Sequence, residues 1–556
     1  MAMAPAASGD AKPLRTTLKQ THRSLPEGRE RDVLIGVFYA GLRLGALVAG
    51  GADSYGYVSQ AGLWHHGLPI VHQSIAGVSP WPGAAETWTP LGYRVSPKQP
   101  DAIVPVYAPG LPLLMALLQA IAGSCGVFLV VPLCGALTIW LTFMLGRQLF
   151  EAPVVALWGA ALVATSPVFL YQLMNAMSDV PVTAAWTLVL VLAVAGWPLA
   201  CGIAMGVAIA IRPNLAPLAI VAAAWVGLAP ATSAGARGKV GHVVRFLIGV
   251  APAVVSIGWL NAQLYESPLT FGYGKTSDFY SFAYFFTNVR QFATWTMEVE
   301  TPVVLLAGLY LAAPRLFPPA RIRFAGLLLG GSMAAVVLSY VFYLPFGAWW
   351  FLRFLLPMLP VLMLLTAASL DGIARRWLRP AHPVVIAAAA ALLAWHGLRT
   401  AADRSAFDLG RGERRYIDVA RFIADHTEPD AVVLSLQHSG SLRLYAGRLT
   451  LRYDLLDPRW LDRTAEHLRS TGRRPYFVLD GAEVEAFTRR FGGRNRLGAL
   501  DWPPMAMLGS TVAIYDPIDQ KRDTPPLAIA RTRNRRGSWL CDPPQVCPAV
   551  GRLTSP

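Results

Sequence analysis

Long apolar runs, nearly free of charged residues, recur along most of the chain. Runs such as Val127–Gly146 and Val384–Leu398 approach the roughly 20 residues that an α-helix needs to cross a bilayer. Run length predicts about eleven spanning helices and therefore a polytopic α-helical membrane protein. The predicted spans are Val33–Gly50, Val127–Gly146, Pro153–Tyr171, Val182–Trp197, Leu199–Ile211, Asn214–Leu228, Phe246–Leu264, Pro302–Leu316, Phe324–Phe346, Phe354–Leu370 and Val384–Leu398.

Some apolar segments are short. Leu111–Gly123 has about 13 residues and follows Pro109-Gly110, which favours an interfacial or re-entrant helix over a full span. Leu199–Ile211 and Asn214–Leu228 are also short and meet at Arg212-Pro213. We therefore expect a surface helix early in the chain and a pair of half-length helices around Arg212.

Beyond about Arg399 the charge rises, and short apolar runs alternate with helix-like stretches, which predicts a small α/β domain. The predicted strands are Ala431–Leu436, Leu449–Arg452, Tyr476–Leu479 and Val512–Tyr515, and the predicted helices are Tyr416–His426, Arg459–Ser470 and Glu483–Phe491. We divide the chain into a basic N-terminal segment (1–32), a membrane region (33–399) with a first outward loop (51–126), the α/β domain (400–520) and an irregular basic tail (521–556).

The basic residues indicate the orientation of the chain, because loops that face the cytoplasm carry an excess of Lys and Arg. With a cytoplasmic N-terminus, the inner loops hold Lys12, Arg15, Lys19, Arg23, Arg29, Arg31, Arg147, Arg237, Lys239, Arg245, Arg315, Arg321, Arg323, Arg375, Arg376 and Arg379, and the outer loops hold Arg94, Lys98, Arg212, Lys275, Arg290 and Arg353. An odd number of spans then puts the α/β domain outside. This orientation requires that Leu111–Gly123 does not cross the membrane.

Composition narrows the class of protein further. Of the 556 residues, 54% are hydrophobic and 15% charged, whereas about a quarter of the residues in soluble proteins are charged. The net charge of +15 fits basic cytoplasmic loops, and no zinc-finger or RNA-binding motif occurs, so we expect no nucleic-acid partner. The first 32 residues lack the apolar core of a signal peptide, so we expect the first apolar run to be a retained helix.

The five cysteines fall into two groups. Cys125, Cys134 and Cys201 lie in or beside apolar runs and are predicted to be small buried hydrophobic residues. Cys541 and Cys547 flank Asp-Pro-Pro-Gln-Val in the polar tail. They would form a short-loop disulfide if the tail is extracytoplasmic, and two free thiols are the alternative.

Two carboxylates stand at the outer ends of predicted helices. Asp53 opens a long aromatic-rich outward loop, where a partly desolvated carboxylate can act as a general base. A simple helix-end charge is the equally weighted alternative. Asp179 precedes Val180-Pro181, where Ser178 or Asp179 suits an N-cap. The cap explains that segment without chemistry, and a catalytic role is compatible with it.

Basic side chains at the outer face form a second candidate group. Arg212 lies between two half-length helices, and Arg353 begins an outer-facing helix. Lys275 and Arg290 lie in the outward loop Tyr265–Thr301. An arginine at membrane depth often marks an anionic ligand, and its planar fork suits phosphate. Snorkelling to the lipid headgroups is the alternative, and it explains Arg212 least because the helix breaks there.

Other motifs are absent or weak. His65, His66 and His72 match no strong zinc spacing, so we expect loop histidines without a metal. The chain has no phosphate-binding Gly-x-x-x-x-Gly-Lys-Ser/Thr, no dinucleotide fingerprint after a strand and no Asp-x-Asp pair. Nucleotide-driven chemistry in a soluble domain is therefore disfavoured.

Several short motifs follow one another along the membrane region: Asp53-Ser54-Tyr55-Gly56-Tyr57, Tyr107-Ala108-Pro109-Gly110-Leu111-Pro112, Gly146-Arg147-Gln148-Leu149-Phe150, Thr165-Ser166-Pro167, Ser178-Asp179-Val180-Pro181 and Ile211-Arg212-Pro213-Asn214. Taken in this order, they resemble the GT-C superfamily of membrane glycosyltransferases, specifically bacterial relatives of protein O-mannosyltransferases and lipid A aminoarabinose transferases. The resemblance covers the membrane region, about the first 400 residues. Each motif is weak alone, and their common order carries the resemblance.

The resemblance implies an inverting hexosyl- or pentosyltransferase that moves a sugar from a polyprenyl-phosphate carrier to a glycan, lipid or protein acceptor on the outer side of the cytoplasmic (inner) membrane. It implies that Asp53 is the catalytic carboxylate. The family often has a second acid directly after it, where this chain has Ser54, so Asp179 is the candidate second acid.

For the substrates, the resemblance and the residue types together point to Arg212, Arg353, Tyr57, Tyr107, Lys275 and Arg290. The scheme requires no metal or other cofactor, and a divalent metal is left open. A transporter or flippase of a lipid-linked or small solute is the main alternative, since broken helices near Arg212 suit transport. A non-catalytic scaffold that binds a glycan or a partner is a third possibility.

Overall fold

The computed structural model describes residues 29–150, 152–228, 236–313, 325–378, 381–520 and 525–531. Up to Asp403 the described chain is mainly helical. The α-helices are Arg29–Leu44, Asp53–His65, Ile75–Val78, Ala84–Thr87, Gly110–Ala122, Val130–Leu149, Pro153–Thr165, Pro167–Leu173, Asp179–Val194, Pro198–Ile211, Leu218–Leu228, Ala236–Leu264, Phe285–Val299, Leu306–Ala312, Ala325–Tyr340, Leu359–Trp377 and His382–Asp403. The 3-10 segments of this region include Ser124–Leu129, Pro213–Leu215, Pro302–Leu305 and Trp349–Met358.

The length and composition of these helices identify a multi-pass membrane protein. Within the described ranges, four continuous helical stretches are long and apolar enough to cross a membrane: Ser124–Leu149, Gly238–Leu264, Trp349–Trp377 and His382–Asp403. The pair Pro153–Thr165 and Pro167–Leu173 adds a fifth if it is one span bent by 59°. The shorter apolar helices are Gly110–Ala122, Asp179–Val194, Pro198–Ile211, Leu218–Leu228, Pro302–Ala312 and Gly326–Tyr340. The predicted total of about eleven spans stays a prediction.

The bend at Ser166 follows from local chemistry. Pro167 has no backbone N–H and disfavours helical geometry at the residue before it, so the first helix ends at Thr165. The Ser166 hydroxyl then caps the next helix by accepting a hydrogen bond from the Phe169 backbone N–H at 3.2 Å.

The first outward loop contains a helix and a small sheet. The Asp53–His65 helix starts the loop. Strands β1 (Val71–His72), β2 (Tyr93–Val95) and β3 (Ala102–Pro105) form an antiparallel sheet with the order β1-β3-β2. The 13-residue helix Gly110–Ala122 follows β3 along the chain. Its side chains Leu113, Leu117 and Ile121 are exposed.

The C-terminal part contains a six-stranded mixed sheet. Its strands are β4 (Val432–Leu434), β5 (Leu449–Leu451), β6 (Pro475–Asp480), β7 (Ala506–Leu508), β8 (Val512–Tyr515) and β9 (Leu527–Ala528), in the order β5-β4-β6-β8-β7-β9. β4 pairs in parallel with β5 and β6, while β8 is antiparallel to β6 and β7. The helices of this part are Leu409–Glu413, Arg415–His426, Ser439–Ser441, Leu461–Ser470 and Gly481–Phe491, and Leu442–Ala446 forms a π-helical turn.

Alternate residues of these strands enter two different apolar cores, as expected when successive side chains point to opposite faces. Val433, Tyr476 and Val478 belong to the large core that includes the membrane helices. Leu434 and Phe477 belong to a second core, together with Trp81 and Trp88 of the first outward loop. One face of the sheet therefore lies in the large core, which also contains the Arg415–His426 helix. The other face packs with the Leu461–Ser470 and Gly481–Phe491 helices.

Two sequence predictions need correction. The segment 521–556 was predicted to be irregular, yet Leu527–Ala528 pairs in parallel with β7, because Leu527 N–H reaches the Met505 carbonyl oxygen at 3.0 Å. Cys125 was predicted to be a small buried hydrophobic residue, and it is half-buried and disulfide-bonded. Cys134 and Cys201 are free thiols; Cys201 is buried as predicted, and Cys134 is half-buried. Cys541 and Cys547 lie outside the described residues.

Candidate active site

Asp53 lies at the start of the Asp53–His65 helix and is held by two other parts of the chain. The Tyr107 hydroxyl donates a hydrogen bond to Asp53 Oδ1 at 2.6 Å. Both terminal guanidinium nitrogens of Arg353 lie 3.3 Å from Asp53 Oδ2. The Asp53 side chain remains 34% exposed, so it is paired and still accessible.

Asp179 is the first residue of the Asp179–Val194 helix and is almost completely buried. Its Oδ1 accepts a hydrogen bond from Arg212 Nη2 at 2.7 Å, and its Oδ2 lies 3.9 Å from Arg353 Nη1. Ser178 occupies the N-cap position without a capping hydrogen bond. Its hydroxyl instead accepts hydrogen bonds from Arg212 Nη2 at 2.9 Å and from the Tyr57 hydroxyl at 3.1 Å. The segment therefore binds an arginine instead of forming the simple side-chain cap that the sequence allowed.

The broken helix explains how Arg212 reaches Asp179. The Pro198–Ile211 helix ends before Arg212, whose φ of −146° and ψ of 88° are not helical. Pro213 accounts for this, because proline disfavours helical geometry at the residue before it. The released guanidinium also donates a weak hydrogen bond to the Tyr340 hydroxyl at 3.5 Å.

The four charged side chains thus form one alternating chain from Asp53 through Arg353 and Asp179 to Arg212. Two carboxylates balance two guanidinium groups, so their formal charges cancel. Asp179 Oδ2 is buried and accepts no hydrogen bond in the part of the chain that the structure describes. Paired charges of this kind tolerate partial burial, whereas a buried charge without a partner is costly.

Aromatic rings form a continuous belt beside this ionic chain. Tyr57 and Tyr107 have ring centroids 4.5 Å apart, and Tyr107 contacts Tyr273 at 5.6 Å. The Arg353 guanidinium lies 5.2 Å from the ring centroid of Phe351 and 5.5 Å from that of Phe354. Burial and the neighbouring Asp53 carboxylate raise the pKa of Tyr107 well above its usual value of 10.0, so its hydroxyl stays protonated and remains a donor.

Two predicted substrate-binding residues, Lys275 and Arg290, are exposed, and neither takes part in the hydrogen bonds and ion pairs that join the described members of this group. The histidines are not part of these contacts either: His65 contacts His66, and His72 Nδ1 lies 3.6 Å from Asp101. Within the described ranges, no group of three or more His, Cys, Asp or Glu side chains is arranged to hold a metal ion.

Three members of the group could not be identified from the sequence pattern. Tyr340 lies in a predicted span and contacts Arg212 from 128 residues away. Met177 Sδ lies 3.5 Å from Arg353 Nη1, and Ser178 was considered only as a cap. An apolar run has no pattern that distinguishes the one tyrosine facing a distant arginine, so only the tertiary structure identifies it.

Comparisons by sequence give no match: no protein-family model matches the chain, and no curated protein matches it. Comparison of the fold does find similar structures. ArnT from Cupriavidus metallidurans bound to undecaprenyl phosphate has a TM-score of 0.55 and 15% identity, covering 87% of this chain and 96% of ArnT. Its apo structure has a TM-score of 0.56 with 90% and 98% coverage, again at 15% identity.

A third similar structure is the Archaeoglobus fulgidus oligosaccharyltransferase tethered to an acceptor peptide. Its TM-score is 0.51 at 13% identity, covering 86% of this chain and 72% of that one. Identities this low establish similarity of fold alone. Both neighbours are GT-C glycosyltransferases, which agrees with the resemblance found in the ordered motifs. The chain therefore has the fold of the GT-C membrane glycosyltransferases.

Proposed function

We propose that this protein is an inverting glycosyltransferase that moves a sugar from a polyprenyl-phosphate carrier to an acceptor at the outer face of the cytoplasmic membrane. The observation that carries the proposal is the alternating chain of Asp53, Arg353, Asp179 and Arg212, formed by four separate parts of the sequence. Such a chain combines a proton acceptor with cations suited to a phosphate, and the fold matches proteins in this superfamily.

The proposed orientation has the N-terminus in the cytoplasm, about eleven spans, and the C-terminal α/β domain outside. The disulfide of Cys125 supports it, because disulfides persist in oxidising compartments. Cys125 lies at the start of the helical stretch Ser124–Leu149, the end that this orientation places outside. The Gly110–Ala122 helix, at 13 residues, would lie along the outer surface without crossing.

The proposed reaction is a single displacement at the anomeric carbon of the donor sugar. The acceptor hydroxyl oxygen forms a bond to C1 while the bond from C1 to the phosphate oxygen breaks, and its electron pair leaves with the polyprenyl phosphate. Asp53 Oδ2 accepts the hydroxyl proton as this occurs. Tyr107 holds the other carboxylate oxygen and so fixes the direction of Oδ2.

The arginines would bind the carrier phosphate. Arg353 pairs with both carboxylates at distances of 3.3 Å and 3.9 Å, longer than the 2.7 Å contact of Arg212 with Asp179. A phosphate could therefore take Arg353 from Asp53 more easily than it could break the Arg212 pair. This exchange would free Asp53 as a base at the moment the donor binds, and both cations would stabilise the charge on the leaving phosphate.

The test uses the full-length protein in vesicles, with polyprenyl-phosphate hexoses and pentoses labelled in the sugar, and membranes of a deletion strain as the acceptor source. We expect label to become covalently attached to acceptor and free polyprenyl phosphate to appear, with vesicles lacking the protein as the control. Movement of an intact labelled donor across the bilayer, with no polyprenyl phosphate released, would identify a transporter and reject the proposal.

A further inference from the structure

The C-terminal domain contacts the backbone just before Asp53. The Ala49 backbone N–H donates a hydrogen bond to the Tyr445 hydroxyl at 2.9 Å. The ring of Tyr416 lies directly on Gly50, so closely that a methyl group at position 50 would overlap it. Gly51 adopts a φ of +59°, and a Cβ there would lie 3.5 Å from the Tyr416 hydroxyl. Three consecutive residues before the Asp53–His65 helix therefore contact a domain that follows them by more than 350 positions.

The same domain also contacts the residues that follow Asp53. Gly440 lies against the ring of Tyr55, and a methyl group at position 440 would overlap that ring. The Leu91 backbone N–H donates to the Ser439 hydroxyl at 3.2 Å. Asp53 is thus bracketed on both sides along the chain by contacts to residues 416–445.

Tyr416 is itself held from several directions. It is 2% exposed. The Arg415 guanidinium lies 4.5 Å from its ring centroid and donates to its hydroxyl at 3.0 Å. The ring of the fully buried His438 lies 4.6 Å away, and His438 Nε2 is 2.9 Å from Asp480 Oδ1. These contacts therefore hold the ring of Tyr416 in place, and Gly50 packs directly against it.

We propose that Tyr416 is a positioning residue that sets the place of the Asp53 carboxylate from the C-terminal domain. This inference rests on the proposed function for its catalytic consequence. Asp53 follows Gly50 by three positions, and its carboxylate must meet the acceptor hydroxyl within hydrogen-bond reach. A displacement of about 1 Å at a reacting group costs about 100-fold in rate. The C-terminal domain then belongs to the active centre through its contact with residues 49–55, although none of the proposed reacting groups lies in it.

The test compares Tyr416→Leu with Tyr453→Leu in the full-length protein. Tyr453 is also 2% exposed and lies in the second core, against Phe487 and Phe491, so it controls for loss of stability. We expect Tyr416→Leu to lower kcat by about 100-fold without changing KM for the donor, because the arginines are untouched. Tyr416→Phe keeps the ring on Gly50 and should restore most of kcat. Equal kcat in both leucine variants would overturn the proposal.

A second readout does not depend on catalysis. Tyr445→Phe removes the acceptor of the Ala49 N–H, and hydrogen exchange of the segment 46–56 should become faster in this variant and in Tyr416→Leu, but not in Tyr453→Leu. Unchanged exchange in both interface variants would overturn the proposal. If the wild-type protein transfers no sugar while exchange changes as expected, the proposed function fails and the structural contact stands.

Discussion

At the residue scale, the site consists of ion pairs in a poorly hydrated region. Asp179 is 1% exposed at its side chain and Arg212 13%, so both have lost most of their water. Breaking such a pair on one side leaves a buried charge without a partner, which costs about 3–5 kcal/mol. Removing both charges lowers the free energy of unfolding less than removing one of them. As long as either charge is present, the Arg212–Asp179 contact therefore stabilises the fold.

We predict that Arg212→Met destabilises the protein by about 3 kcal/mol, because the buried Asp179 loses its 2.7 Å partner and keeps only the 3.9 Å contact with Arg353. The double variant Arg212→Met with Asp179→Asn should be more stable than Arg212→Met alone, while both lack transferase activity. Thermal unfolding in detergent measures the two stabilities. Strictly additive losses would mean that the two side chains do not interact, contrary to their 2.7 Å contact.

Residue type and position along the chain were enough to predict most of this site. Asp53, Asp179, Arg212 and Arg353 were identifiable because charged residues at the ends of apolar runs are unusual. Their pairing was not predictable, because the pair of Arg353 and Asp53 joins residues 300 positions apart. Lys275 and Arg290 fitted the same rule of charge at the outer face, yet among the described residues neither forms a hydrogen bond or ion pair with the ionic chain. Charge type alone could not separate these two cases.

At the element scale, helix ends bring the four charged side chains together. Asp53 and Asp179 each begin a helix, Arg212 follows the end of another, and Arg353 lies in the 3-10 segment Trp349–Met358. Side chains at the ends of different helices can point away from their own helices and meet at the same depth in the membrane. The apolar pattern of the C-terminal part predicted its main elements. The four predicted strands and three predicted helices lie within a few residues of their predicted positions.

Two strands of the C-terminal sheet were missed because they are too short to carry a pattern. β7 has three residues and follows Pro503-Pro504, and β9 has two. Period-2 alternation needs about four residues before it differs from chance. Both strands form because neighbouring strands supply hydrogen-bond partners for their backbone. Next to β7, for example, the Met505 N–H donates to the Ile514 carbonyl oxygen of β8 at 2.6 Å. Such partners become visible only in the folded sheet.

A buried glutamate at the junction between β6 and the Gly481–Phe491 helix leads us to predict how the stability of the protein depends on pH. Glu483 closes a capping box there, accepting from the Gln437 N–H at 2.8 Å and the Asp480 N–H at 3.2 Å. Burial raises the pKa of Glu483 from 4.5 to about 7, more than its hydrogen bonds lower it. A raised folded-state pKa contributes stability that is full below about pH 4.5 and is lost as the pH rises through about 7.

We therefore expect the melting temperature of the wild type to fall more between pH 5 and pH 8 than that of Glu483→Gln, whose amide does not titrate. Glu485→Gln is the matched control, because the Glu485 side chain is 81% exposed on the same helix. The control should follow the wild type. Parallel curves for all three proteins would show that Glu483 does not titrate differently in the folded and unfolded states.

At the scale of the whole molecule, the account depends on orientation. Ser470 and Arg376 are both exposed, the first in the C-terminal domain and the second in the last turn of the long helix Leu359–Trp377. We predict that Ser470→Cys reacts with an impermeant thiol reagent from outside intact cells and that Arg376→Cys reacts only after lysis. The reverse pattern would place the Asp53 site on the cytoplasmic side and contradict the proposed orientation.

The architecture of the whole molecule joins the membrane region and the C-terminal sheet through one continuous core. Sequence predicted both parts, but their contact could not be predicted, since it depends on Gly50, Tyr416 and Gly440, which form no linear pattern. A glycine permits close approach of an aromatic ring to the backbone, and here each glycine and the ring that contacts it are hundreds of positions apart in the sequence. The contact joins the segment before Asp53 to the C-terminal part of the chain.

The most direct test of the central claim is the transfer rate of Asp53→Asn in the vesicle assay. Asp101→Asn is the matched control, because Asp101 is an exposed acid in the same outward loop. The account predicts a loss of about 100-fold to 10,000-fold for Asp53→Asn, with normal folding and normal binding of the lipid-linked donor, and a wild-type rate for Asp101→Asn. A wild-type rate in folded Asp53→Asn would contradict the account.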